Sequence, residues 1–222
     1  MAKKPATGSG GSKRRTKADA TVDHGRTVIE AALRLAASRG WRDLSLLDIA
    51  DEAGLSLAEV YALYPSKQAV LGGFSRLIDQ EVLSGDDVDG RDESARDRLF
   101  EVLMRRFDAL QPHRDGVSRI LAAVSCDPFA ALCGAKSLRR SMATMLEAAG
   151  LSASGCRGML RVKGLSAIYL SSLKVWLKDE SQDMAKTMAA LDKKLNQADG
   201  LVRRCQDIGS KSAKPEDAGQ AA

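Results

Sequence analysis

The spacing Ala50-x3-Gly54-x5-Val60 constrains this chain more than any other feature. Two short helices that cross steeply need a small residue where their backbones approach. The turn between them needs a residue that tolerates positive φ, which glycine does without a Cβ clash. A bulky aliphatic on the second helix then packs back on the first. Ile49, Ala53 and Leu55 supply the other inward positions. The spacing predicts a helix-turn-helix hairpin, although other αα-hairpins can carry it too.

The flanks are helical. Val28, Ala31, Ala32, Leu35 and Ala36 fall on one helical face, and Gly40 is the expected stop. Ser45 stands three residues before Asp48, close to a capping box, and Ser56 caps the next helix. Pro65-Ser66-Lys67 interrupts the run before QAVLGGFSRLIDQEVL resumes it. The polar stretch GDDVDGRDES reads as a linker. Beyond it, Leu99, Val102, Leu103, Phe107 and Leu110 line one helical face, and helices are expected near 115–124, 129–149 and 153–178. A last helix carries Met184, Met188, Leu191 and Leu195 as a stripe. Strand-type alternation is nowhere sustained, so the fold class is all-α. The predicted organisation is a disordered basic arm over 1–22, a helix-turn-helix domain with its connecting fourth helix over 23–84, a larger helical domain over 85–208, and a disordered tail over 209–222.

Composition narrows the function. Residues 1–26 hold seven Lys and Arg against two Asp, whereas residues 27–84 hold five basic and eight acidic side chains. The candidate hairpin is therefore acidic, and the cations sit in the arm. No apolar run approaches the ~20 residues that a membrane helix needs, and the basic start lacks the apolar stretch of a secretory signal. A cytoplasmic protein with reduced thiols is expected. The four cysteines and two histidines lack metal-ligand spacing. No glycine-rich phosphate loop follows a strand, and the carboxylates are scattered. Neither catalysis, a cofactor nor a metal is expected.

Taken together, TVIEAALRLAASRGW, LSLLDIADEAGLS, VYALYPSK and AVLGGF resemble the amino-terminal domain of TetR-family transcriptional regulators. The resemblance rests on Gly40-Trp41, Ser45, Asp48-Ile49-Ala50, Ala53-Gly54-Leu55-Ser56, Tyr61 and Tyr64-Pro65-Ser66-Lys67. It implies a homodimer that binds double-stranded DNA, with a ligand-binding and dimerisation domain after the reading head. By that resemblance Ser56, Leu57, Ala58, Glu59 and Tyr61 enter the major groove, while Ser45, Tyr61, Tyr64 and Lys67 reach phosphates. The alternative for Tyr61 and Tyr64 is packing under the fourth helix. Arg14, Arg15 and Lys17 of the arm are expected to add backbone contacts, as basic arms do, or else to serve as a solubilising tail. The reading chemistry is thin. Guanine is usually read by Arg or Lys and adenine by Asn or Gln, and none lies between Leu55 and Ser66. Glu59 can accept from a cytosine amino group, and Leu57 or Ala58 can touch a thymine methyl.

The segment LRVKGLSAIYLSSLKVWLKDESQDMAKTMAALDKKL is similar to the carboxy-terminal part of COQ9-type proteins, a TetR-fold group linked to ubiquinone biosynthesis and lipid binding. The matching residues are Leu165, Tyr169, Trp176-Leu177, Asp179, Ser181, Thr187 and Leu191-Asp192, with Leu195. This resemblance implies a competing function: binding a lipid or a partner protein without reading a specific operator. Apolar and small residues on this helix fit either a helix seam or a pocket wall. Leu103, Phe107, Met145, Met159, Tyr169 and Trp176 are the candidate lining for an apolar or lipid effector. Leu165, Ile168, Leu173, Met184, Met188, Leu191 and Leu195 are the candidate dimer interface. Gly158 and Gly164 each cost a helix about 1 kcal/mol against Ala, and close approach of another helix is one motive for keeping them.

Overall fold

The computed structural model describes residues 10–85 and 93–212, with side chains over 24–85 and 93–200. Every regular element among them is helical. Helices α1 (Gly10–Arg39), α2 (Leu46–Ala53), α3 (Leu57–Leu63) and α4 (Lys67–Ser84) precede the linker. After it come α5 (Ala95–Leu110), a 3-10 turn (Gln111–His113), α6 (Arg114–Ser125), α7 (Pro128–Ala148), α8 (Gly155–Trp176) and α9 (Ala185–Ser212). Helix α1 begins at Gly10, inside the segment read as an arm, and α9 ends at Ser212, inside the segment read as a tail. The polar linker residues 86–92 lie outside the described residues.

The chain forms two compact units whose boundary differs from a single cut at the linker. Residues Ala109–Ser141 pack with the amino-terminal helices, and the second unit takes Gly85–Asp108 with Met142–Ala222. The reason lies in α6. A Cβ on Gly116 would sit 2.8 Å from the Leu33 carbonyl oxygen, so the glycine lets α6 lie directly on the α1 backbone. Val117 and Ile120 are buried beside it. Two further contacts hold this return segment. The Ser141 hydroxyl donates to the buried Asp79 carboxylate of α4 at 2.6 Å. The His113 ring meets Phe74 edge-on at 5.6 Å.

The hairpin follows its sequence. Gly40 takes φ 88° and closes α1, its N–H bonded to the Ala36 carbonyl. Gly54 takes φ 68°. No atom crowds a Cβ built there, so this position needs glycine for its backbone angle rather than for space. The Leu55 N–H returns to the Ala50 carbonyl at 3.0 Å and that of Gly54 to Asp51 at 3.2 Å, a Schellman-type end. Ile49, Ala50 and Val60 are wholly buried.

In the second unit Phe107 stacks on Tyr169 with centroids 5.4 Å apart and meets Trp176 at 6.1 Å. The α8–α9 turn is fastened by Asp179. Its Oδ2 accepts from the Thr187 N–H at 2.8 Å and hydroxyl at 2.7 Å, and its Oδ1 accepts from Ser181. Burial opposes ionisation of this carboxyl, but the Ser181 and Thr187 hydrogen bonds prevail and hold it well below its ordinary range. Gly158 is not kept for a neighbouring helix. A Cβ there would strike the Ala153 backbone of the preceding loop, and one on Gly164 would meet nothing.

Two outcomes follow from this packing. Gly116→Ala is expected to destabilise the first unit by about 1–3 kcal/mol, because the α6 and α1 backbones must separate; an unchanged melting temperature would contradict the close approach. The Asp179 carboxylate contributes stability above its ordinary pKa of 3.8. That contribution is lost as pH falls toward the lower folded value. Asp179→Asn should therefore lower the neutral-pH melting temperature while flattening the acid limb of the stability curve, read by circular dichroism between acid and neutral pH.

Candidate nucleic-acid interface

Helix α3 has one inward residue, Val60, and an outward face of Leu57, Ala58, Glu59, Tyr61 and Ala62. Leu57 is 44% exposed and Tyr61 61% exposed. The hairpin thus spends its apolar interior on α1 and presents most of α3 to solvent.

Both helix starts are closed by their own carboxylates. The Ser56 N–H and hydroxyl donate to Glu59 Oε2 at 2.9 and 2.6 Å, and the Glu59 N–H returns to the Ser56 oxygen. Ser45 and Asp48 make the same reciprocal box on α2. The Ser56 hydroxyl holds the Glu59 carboxyl below its usual range, and Ser45 does the same for Asp48. Both stay ionised at neutral pH. The α2 N-terminus, where Ser45 was expected to reach phosphate, is filled from within, as is that of α3, and Ser45 and Ser56 direct their hydroxyls at carboxylates.

The other expected contacts divide. Tyr64 is turned inward under α4. Its hydroxyl donates to the Gly25 carbonyl at 3.4 Å, and a Cβ on Gly73 would lie 2.6 Å from its ring. Burial pushes its phenol up. Lys67 also folds back. Its Nζ donates to the carbonyls of Trp41 at 3.0 Å and Arg42 at 3.1 Å, 5.4 Å from the centre of the Trp41 ring. Partial burial lowers its pKa against the opposing pull of Asp43 and Asp48. It serves as a clasp on the α1–α2 loop. Of the expected phosphate contacts, Ser45 and Tyr61 are exposed, Ser45 with its hydroxyl engaged by Asp48. The side chains of Arg14, Arg15 and Lys17 lie outside the described residues.

The acidic balance of the hairpin takes on a different meaning here. Glu52 pairs with Arg34 at 3.0 Å, tying α2 to α1, and Glu30 pairs with Arg26 at 3.8 Å. Asp48 also approaches Arg39 at 3.9 Å. Much of the acid is therefore used within the fold.

Most of the candidate pocket and dimer residues lie in the interior of the second unit. Leu103, Phe107, Met145, Tyr169 and Trp176 are buried and fill the second unit's interior, while Met159 is exposed. Leu165, Leu173, Met184, Leu191 and Leu195 are also core, with Ile168 and Met188 half-buried. The apolar side chains that α8 offers to solvent are Met159, Leu160 and Leu170. Met159 was expected to line a pocket, and sequence reasoning missed Leu160 and Leu170, because an apolar stripe does not say which side of a helix a neighbour covers.

Residues 28–72 match the family model of bacterial regulatory proteins of the tetR family, and residues 134–201 match the COQ9 family model. In fold the chain is similar to a TetR transcriptional regulator from Nitrosomonas europaea, at 22% identity over 78% of this chain and 97% of that one, with a TM-score of 0.63. It is also similar to a TetR transcriptional regulator from Rhodococcus sp. RHA1, at 20% identity over 78% and 95%, with a TM-score of 0.56. Among curated proteins none matches its sequence. The fold is that of TetR-type transcriptional regulators. Both resemblances read from the residues stand, the first over the reading head and the second over the carboxy-terminal helices.

The Lys67 clasp is testable. Lys67→Ala should lower the melting temperature by a few degrees, about 1 kcal/mol for this half-exposed group, and alter Trp41 emission. A variant with unchanged stability and fluorescence would place the ammonium in solvent.

Proposed function

We propose that this chain is a transcriptional regulator that binds double-stranded DNA through α3 as a homodimer. The observation that carries this reading is the outward face of α3, on a hairpin whose interior is closed. A seven-residue helix with five exposed positions is not explained by packing. In DNA-reading hairpins the second helix places its amino-terminal residues against base edges, and here those residues are Leu57, Ala58 and Glu59. Met159, Leu160 and Leu170 on α8 are the apolar residues available to a second copy. Affinity rests on Tyr61 and on the cations of the amino-terminal segment more than on Ser45, Ser56, Tyr64 or Lys67. An apolar effector bound among Leu103, Phe107, Met145, Tyr169 and Trp176 would have to part the packed Phe107–Tyr169–Trp176 cluster. No described helix is long and apolar enough to cross a membrane.

A second reading has its own support. The match of residues 134–201 to COQ9, together with helix starts already occupied by carboxylates, favours a lipid- or partner-binding relative that keeps the hairpin without reading an operator.

Selection from random duplexes, followed by titration at two salt concentrations, separates them. A regulator selects a palindromic site and keeps its preference at physiological salt. Glu59→Gln should then strengthen binding to unrelated DNA several-fold, because one negative charge leaves the phosphate field. It should also change the base preferred at one position of each half-site, since an amide reads adenine where a carboxylate accepts from cytosine. Failure of the full chain to select any site would support the second reading.

A further inference from the structure

Helix α7 presents a face that the regulator reading leaves unused. Its start is firmly set: Pro128 occupies the first position, and Asp127 Oδ1 accepts from the N–H groups of Phe129 at 2.9 Å and Ala130 at 3.1 Å. Ala130 is the buried residue of this turn. Phe129 and Leu132 consequently project outward, 66% and 70% exposed. Lys136 and Arg139 follow at intervals of four and three residues, so all four side chains share one helical face, and both cations are exposed. The helix carries no acidic residue before Glu147. One end of this face is apolar and the remainder is cationic.

We propose that this face of α7 docks on the surface of an anionic lipid bilayer. The helix enters with its first turn foremost, Phe129 and Leu132 reaching the acyl boundary. The longer Lys136 and Arg139 side chains stay at the level of the lipid phosphates. Charge chooses this occupant over a second copy of the chain, since a two-fold contact through this face opposes like cations when the helices run parallel and sets the cations against Phe129 and Leu132 when they run antiparallel. The projecting Phe129 and Leu132 choose it over duplex DNA, whose backbone attracts the cations but gives the apolar pair no medium to enter. The proposal is independent of whether α3 reads DNA.

The test is co-sedimentation of the full chain with vesicles of phosphatidylcholine alone and with about one third phosphatidylglycerol. The chain should bind the anionic vesicles and leave the neutral ones. Phe129→Ser with Leu132→Ser should reduce the bound fraction about tenfold with helicity and melting temperature unchanged. Lys136→Gln with Arg139→Gln should weaken binding and reduce its salt dependence. In a separate variant, Phe129→Trp, emission should shift to the blue on adding anionic vesicles, which reports the depth of this side chain directly. Absence of binding to anionic vesicles overturns the proposal. So does binding that survives loss of Phe129 and Leu132, which would be electrostatic attraction through other basic segments. An unshifted Phe129→Trp emission in the bound state overturns it equally, as does loss of DNA binding in the serine variants without loss of vesicle binding.

Discussion

A helix of seven residues does not persist in water, because nucleation costs more than so few hydrogen bonds return. The existence of α3 therefore depends on what holds its two ends and its single inward residue. At the start is the Ser56–Glu59 box; at the end the Tyr64 N–H closes on the Val60 carbonyl at 2.8 Å. Between them Val60 is completely buried. Behind α3, Gly54 sets the angle at which it leaves α2. The hairpin is a balance of these few local devices, and in the proposed function the same short span meets DNA.

That requirement explains the inward turn of residues expected to meet DNA. Tyr64 fills the space that Gly73 leaves on α4 and reaches back to Gly25 on α1. Lys67 begins α4, where a cation is opposed by the helix dipole, and it finds two carbonyls of the α1–α2 loop instead. Both residues join elements that the short hairpin alone cannot hold. Their polar ends do structural work, which leaves fewer side chains for the proposed contact with DNA.

The hairpin was legible because its determinants are local. A positive-φ glycine, a serine three residues before a carboxylate and a small residue at the crossing can all be read within one or two turns. Packing of Tyr64 under the fourth helix is one of two readings the sequence allows, and the Lys67 clasp was not legible; their partners lie 39 and 25–26 residues away. One signal was available: Gly72-Gly73 inside a helix is costly, and its position just after an aromatic-Pro turn marks a place for the ring. The α8–α9 stripe was read as apolar, and it is; which side the neighbour covers is a tertiary fact. Gly116 carries the same lesson. In the sequence it is one more glycine, yet it brings α6 onto α1 and moves Ala109–Ser141 into the first unit.

Glu59 has two opposed roles. As the third residue of α3 it satisfies the helix start and favours the short helix through the dipole. As the single charge on the outward face it opposes any polyanion that approaches. Replacing it by a neutral residue relieves the second effect and weakens the first, so helix stability and phosphate affinity are traded at one side chain. A head built this way cannot rely on the general attraction that serves a cationic reading helix. On the proposed DNA-binding reading, affinity is drawn from cations outside α3 and from a base edge that offers a donor to the carboxylate, so that α3 itself supplies discrimination rather than affinity.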